Sequence, residues 1–195
     1  SEAAPETIFE SVPLGLRVGC HLTNASGCTP NETRYDGTRE VGVHEAVMLH
    51  DDMFAEVIPD QEGIHVRPLM LRLILKTKGA NKVIIITDAM DQAGVATGRD
   101  VNMVPRNEYT PGDGKAKEML SGSLLTMDRA VRNMRAHTGV GWVDTCKMAS
   151  LNPAQAIGLD AQIGSLEKGK KANALVVTEQ IEVQKVMLEG NFIDS

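Results

Sequence analysis

Two imidazoles and one carboxylate stand where a parallel α/β sheet gathers its chemistry. His21 follows the run LRVGC at residues 16–20, His65 follows FAEVI at 54–58 and a polar loop, and Asp88 ends KVIIIT at 82–87. Loops at the C-terminal ends of parallel strands form a common crevice or barrel mouth. There a neutral imidazole nitrogen ligates a metal ion near pH 7, and a carboxylate takes a proton from metal-bound water. Three such groups converging are more telling than any one. Taken singly, each has a plain structural use: a hydrogen-bonded loop position for His21, a cap on the helix near Pro68 for His65, a helix N-cap for Asp88. Ser123, in LSGSLLTM, is either the N-cap of the helix it precedes or part of a helix start whose N–H groups bind an anion or a sugar hydroxyl. His44, His50 and His137 read as structural or surface residues.

The elements that must position these groups alternate. The β-branched run KVIIIT suits a strand buried on both faces, as in a parallel sheet. Between FAEVI and KVIIIT, Pro68 starts a helix that carries Leu69, Met70, Leu71, Leu73, Ile74 and Leu75 and stops at Gly79 after Lys76 and Lys78. Strand, helix, strand is the βαβ order. A Gly, Asp and Pro-rich segment at 91–114 is either an active-site loop or a small hairpin insertion. Leu124, Met127, Val131 and Met134 keep helical spacing up to Gly139, residues 142–149 form a second helix, and Asn152-Pro153 opens a third as N-cap and first helical residue, closed by Gly158. From Ile163 the chain reads as Gly-punctuated strands: GSLEKGKKANALVV, then 183–188, then a turn at Glu189-Gly190-Asn191. Three strand–helix units cannot close a barrel of eight, so the pattern fits a small open sheet or the C-terminal part of something larger.

Composition narrows the classes. The 195 residues are 42% hydrophobic and carry 20 Lys plus Arg against 26 Asp plus Glu, with the basic residues scattered. Nucleic acid is therefore a poor partner. No apolar run reaches the roughly 18 residues of a membrane span, and SEAAPETIFE lacks the regions of a secretory signal, so no membrane association is expected. Cys20, Cys28 and Cys146 are an odd, widely spaced set that suits free thiols in a reducing compartment, and a cytoplasmic location is expected.

In order, HLTNAS (21–26), GIHV (63–66), ITDAM (86–90), LSGSLLTMDRAVRN (120–133) and ASLNPAQAIGL (149–159) form a series that closely resembles the N-acetylglucosamine-6-phosphate deacetylases of the amidohydrolase superfamily. The tail IGSLEKGKKANALVV is similar to that superfamily's return to a small β-sandwich. The resemblance implies an α/β fold: the C-terminal part of a (β/α)8 barrel, about three strand–helix units over residues 1–158, and C-terminal sandwich strands over 159–195. It implies that Ser1 follows a metal-binding His of a Gly-His-Ser segment and that an upstream Glu ligand lies outside the chain, so the chain alone is a poor catalyst.

The same resemblance assigns roles. His21 matches a metal ligand, with Asn24 and Ala25 the adjoining substrate-binding pair. His65 matches the substrate-contacting His, with Gly63 and Ile64 beside it. Asp88 matches the catalytic acid/base, and Leu120, Ser121 and Gly122 the loop that closes over the sugar. Arg39 resembles the phosphate-contacting Arg, with Arg34 as the alternative, and Asp60 or Glu62 stands for the family's Asp of DGxH. A divalent metal is implied, zinc first, with iron, manganese or cobalt open. The implied partners are an amino sugar phosphate and a second copy of the chain. An amidohydrolase of another substrate, an unphosphorylated N-acetyl sugar or a cyclic amide, and a non-catalytic dimerising scaffold are the competing readings.

Overall fold

The computed structural model describes residues 3–24, 36–38, 41–95, 99–105 and 118–193. Helix α1 (Pro5–Ser11) leads to β1 (Val18–Gly19), α2 (Val43–Leu49), β2 (Phe54–Val57), α3 (Pro68–Lys78) and β3 (Val83–Ile85). The three strands form one parallel sheet in the order β1-β2-β3, with Val18 opposite Phe54 and Ala55 opposite Val83. All of β3 is buried, as the β-branched run requires of a strand covered on both faces. On one face α3 buries Leu71 and Ile74, three residues apart, while Leu69 and Leu73 stay exposed. Pro68 occupies its first turn, and Gly79, at φ 69°, ends it. The last turn also secures α2: the Lys78 ammonium donates to the carbonyls of Val47 at 3.0 Å and His50 at 2.5 Å.

After β3 an antiparallel pair, β4 (Val101–Pro105) and β5 (Glu118–Ser123), interrupts the alternation. Of the Gly-rich segment 91–114, residues 101–105 are the part that pairs, while 96–98 and 106–114 lie outside the described residues. Three helices follow: α4 (Met127–Thr138), α5 (Trp142–Ala149) and α6 (Leu151–Ala156). Helix α4 begins later than the apolar spacing suggests. Leu124 and Leu125 are buried before it, outside the helix, so their burial comes from the core and not from a helix face. Helix α4 ends in an αL cap at Gly139, as expected.

Two expected caps are corrected. Thr126 is the N-cap position of α4, and the Ser123 hydroxyl instead donates to the Thr87 carbonyl and accepts the Leu125 N–H at 3.0 Å. Ser150, not Asn152, precedes α6. The Asn152 amide is buried and donates to the carbonyls of Ala80 and Val83, each at 2.7 Å, joining α6 to the entry of β3. Replacing Asn152 by alanine leaves both acceptors buried without that donor, and is expected to destabilise the fold by about 2 kcal/mol. A urea midpoint no lower than that of the parent chain would contradict this.

The C-terminal sheet is an antiparallel meander, β6 (Ala174–Val177), β7 (Val183–Leu188) and β8 (Asn191–Ile193), in the order β6-β7-β8. Its first strand is shorter than GSLEKGKKANALVV suggested, because 163–173 is mostly turns with Gly164 and Gly169 at positive φ. The meander is tied to the rest of the chain at one corner. Ile181 joins the main core, and Arg132 on α4 donates to its carbonyl at 2.9 Å. Among the described residues no helix is long and apolar enough to cross a membrane.

Candidate functional site

Each predicted chemical group leaves the parallel sheet at the same end. The backbone at His21 turns just after β1, and Leu22 N–H donates to Glu56 O at 2.7 Å, which fastens this turn to β2. Ile86 N–H then donates to Val57 O at 3.0 Å, fastening the end of β3 to the same strand. His21 and Asp88 are two of four non-glycine residues with positive φ among the described residues, at 29° and 52°. Such conformations cost on the order of 1 kcal/mol or more and concentrate at functional sites. The Cys20 thiol is pushed above its ordinary value by partial burial, then by the Glu56 carboxylate, with Asp88 also contributing.

His65 is buried and lies in the turn between β2 and α3. Its Nδ1 is 3.1 Å from Asp60 Oδ2 and its Nε2 is 3.3 Å from the Gly122 carbonyl. It does not cap α3, whose N-cap position is Arg67, without a side-chain bond to the helix. Gly63, at φ 66°, is required in this turn, since a Cβ there would stand 2.7 Å from the Pro68 ring. Ile64 is exposed beside it.

Strand β5 links His65 to Asp88. Ser123 N–H donates to Asp88 O at 2.7 Å, and Met90 N–H donates to Ser123 O at 2.8 Å. Leu120, Ser121 and Gly122, expected in a loop, lie on this strand, Leu120 opposite Met103 and the Ser121 carbonyl accepting the Asn102 amide at 2.8 Å. No helix starts at Asp88 among the described residues, so its expected structural use as an N-cap is not the one found. Ala25, Arg39 and the alternative Arg34 lie outside the described residues, as does Cys28. Cys20 and Cys146 are free thiols.

The profile of the Amidohydrolase family matches residues 9–193. The chain belongs to the amidohydrolase family. It is 35% identical over 191 residues to an N-acetylglucosamine-6-phosphate deacetylase of Lysinibacillus sphaericus, covering 97% of this chain and 47% of the relative. A putative N-acetylgalactosamine-6-phosphate deacetylase of Escherichia coli K12 is 35% identical over 158 residues, covering 78% of this chain and 90% of that shorter relative. The crystal structure of N-acetylglucosamine-6-phosphate deacetylase from Pasteurella multocida superposes with a TM-score of 0.76 at 29% identity, covering 100% of this chain and 49% of that one. The chain thus spans about half the length of most of the relatives it matches.

For an amidohydrolase the question is what this chain offers a metal. His21 Nδ1 lies 2.6 Å from the Asn24 carbonyl, which can only accept, so Nδ1 carries the hydrogen and Nε2 keeps a free lone pair. That is how a ligating imidazole is oriented. Among the described residues no three His, Cys, Asp or Glu side chains gather into a cage. His21 fits a single ligand, and further donors are needed to hold a divalent ion.

Sequence reasoning passed over the polar layer behind His65. The candidate Asp60 is the one beside the imidazole, while Glu62 faces Arg99 at 3.3 Å. Asp100, Arg129 and Asn133 were not singled out at all. Asp100 is buried and forms an ion pair with Arg129, and its other oxygen accepts the Asn133 amide at 2.8 Å. The available signal was weak: an Asp at the start of β4 and an Asn on the polar stripe of α4, separated by 33 residues.

Proposed function

We propose that this chain supplies the C-terminal strand–helix units of a (β/α)8 barrel that hydrolyses N-acetylglucosamine 6-phosphate to glucosamine 6-phosphate and acetate. The observation that carries the reading is that His21, His65 and Asp88 leave three neighbouring parallel strands at one end. The deacetylase names of the full-length relatives support it. In this reading residues 1–158 belong to the barrel and 159–195 to a sandwich. The exposed apolar side chains of the meander, among them Leu175, Leu188 and Phe192, support a second layer against it.

Asp88 is the acid/base: it accepts the proton of the attacking water and returns it to the leaving nitrogen. His65 orients the acetamido group, with Gly63 and Ile64 shaping the pocket on one side and Leu120, Ser121 and Gly122 on the other. His21 contributes one imidazole to the metal, with zinc the first choice, and Asn24 and Ala25 hold the sugar phosphate. Arg39, or Arg34 in its place, pairs with the phosphate, where a guanidinium fork bonds two oxygens at once. When bound, a divalent ion polarises the acetyl carbonyl and lowers the pKa of water. The enzyme is cytoplasmic and homodimeric.

The test is acetate release from the 6-phosphate, with the chain alone and with the chain completed by the N-terminal half of the Lysinibacillus sphaericus relative, zinc present. Release is expected only from the completed protein, and removal of the phosphate from the substrate should lower kcat/KM by at least about 10²-fold, the scale of a lost charge-assisted contact. The name of the E. coli relative makes N-acetylgalactosamine 6-phosphate the second substrate to compare. No release from either sugar phosphate by the completed, metal-loaded protein would overturn the proposal.

A further inference from the structure

The turn that carries His65 is built around one buried carboxylate. Asp60 is fully buried, and three donors from its own turn converge on it. Oδ1 accepts the Ile64 N–H at 3.0 Å, while Oδ2 accepts the His65 N–H at 2.8 Å and lies 3.1 Å from His65 Nδ1. Burial by itself raises the Asp60 carboxyl, but the His65 side chain and the two amides outweigh it and hold the group below its ordinary value. An ionised carboxylate has only acceptor oxygens, so its contact with Nδ1 is a hydrogen bond when Nδ1 carries the hydrogen. The ring's other nitrogen, Nε2, lies 3.3 Å from the Gly122 carbonyl, itself an acceptor, on the strand whose next residue is bonded to Asp88.

The turn is itself gripped by residues remote in sequence. His137 on α4 donates from Nε2 to the Asp60 carbonyl at 2.8 Å. Gln61 N–H donates to Asp100 Oδ2 at 2.8 Å, the oxygen that also accepts the Asn133 amide. Asp60 and Gln61 are thus anchored to α4 and to the start of the hairpin. A turn that needed only its backbone satisfied would not require the imidazole on the same oxygen.

We infer that Asp60 is a positioning residue, which keeps a hydrogen on His65 Nδ1 and holds Nε2 at the Gly122 carbonyl. In imidazoles the partner of one nitrogen decides the state and aim of the other. The catalytic meaning of this rests on His65 contacting substrate, as proposed above; the ring state does not.

The experiment reads the two side-chain nitrogens of His65 by ¹⁵N NMR at neutral pH in the intact chain. The expected result is a hydrogen-bearing Nδ1 in the parent. In Asp60→Ala Nδ1 loses its hydrogen, and Nε2 alone bears one, with the Gly122 carbonyl as its acceptor. If the alanine variant does not fold, Asp60→Asn replaces it. Its amide keeps one oxygen for three donors, and the Nδ1 shift moves in the same direction. A bare Nδ1 in the parent, or nitrogen shifts unchanged in a folded variant, overturns the inference. In the completed enzyme Asp60→Ala is expected to lower kcat by about 10²-fold or more, with a smaller change in KM, as when the carboxylate behind a working imidazole is lost. A parent with the expected nitrogens but no turnover supports this inference and counts against the proposed reaction alone.

Discussion

Asp88→Asn is expected to lower acetate release from the completed enzyme by about 10³-fold or more, while the chain keeps its fold. The size follows from the proton that must move. An amide neither accepts the water proton nor returns it to the leaving nitrogen, and general acid–base catalysis is worth roughly 10²–10⁴-fold. The fold survives for two reasons. The bonds that fasten this segment are main-chain bonds, Asp88 O with Ser123 N–H and Met90 N–H with Ser123 O. In addition, the residue sits at φ 52°, a conformation that asparagine adopts more readily than almost any other side chain. Alanine would confuse the two effects by adding backbone strain to the lost carboxylate. Metal content close to the parent's and an unchanged urea midpoint should accompany the lost turnover. Activity within tenfold of the parent would remove Asp88 from the chemistry.

The parallel core was readable because its signals are local and strong. A β-branched run with buried neighbours and a helix bounded by Pro68 and Gly79 each specify an element within a dozen residues, and all three strands pair as their order suggests. His21 and Asp88 were legible for the same reason, since each directly follows or ends such a run. The polar layer behind His65 was not. Asp60 was named only with Glu62 as the alternative, and the residues that grip its turn, Asp100, Asn133 and His137, come from one loop and one helix, with nothing periodic to relate them. The misplaced caps have a similar origin. Asn152 precedes a proline and Ser123 precedes an apolar run, so both have local capping credentials, yet buried carbonyls at Ala80, Val83 and Thr87 offer partners that only the tertiary fold brings near.

Gly122→Ala is expected to cost both stability and turnover, because this one position touches both halves of the site. Its φ of 63° is left-handed, where an alanine costs roughly 1–2 kcal/mol. Its Cβ would also stand 2.8 Å from the Met90 thioether and 3.0 Å from the Asp88 carbonyl. Met90 can swing aside, but the carbonyl is held by the Ser123 N–H, so the strain must move backbone. Overpacking of this kind typically adds about 1–3 kcal/mol, giving a total destabilisation of about 2–5 kcal/mol. The same shift displaces the Gly122 carbonyl from His65 Nε2 and the Asp88 carbonyl from the Ser123 N–H. A misplacement near 1 Å in a reacting constellation lowers rates by about 10²-fold, so turnover should fall at least that far even at temperatures where the variant remains folded. Alanine at Gly190, also at positive φ but in a meander turn where a Cβ would meet only the Ala172 Cβ, at 4.0 Å, is the matched comparison. It carries the conformational cost without the clash, and turnover should be retained. Equal losses from both substitutions would mean that the Gly122 effect is backbone strain alone, and that β5 does not couple His65 to Asp88.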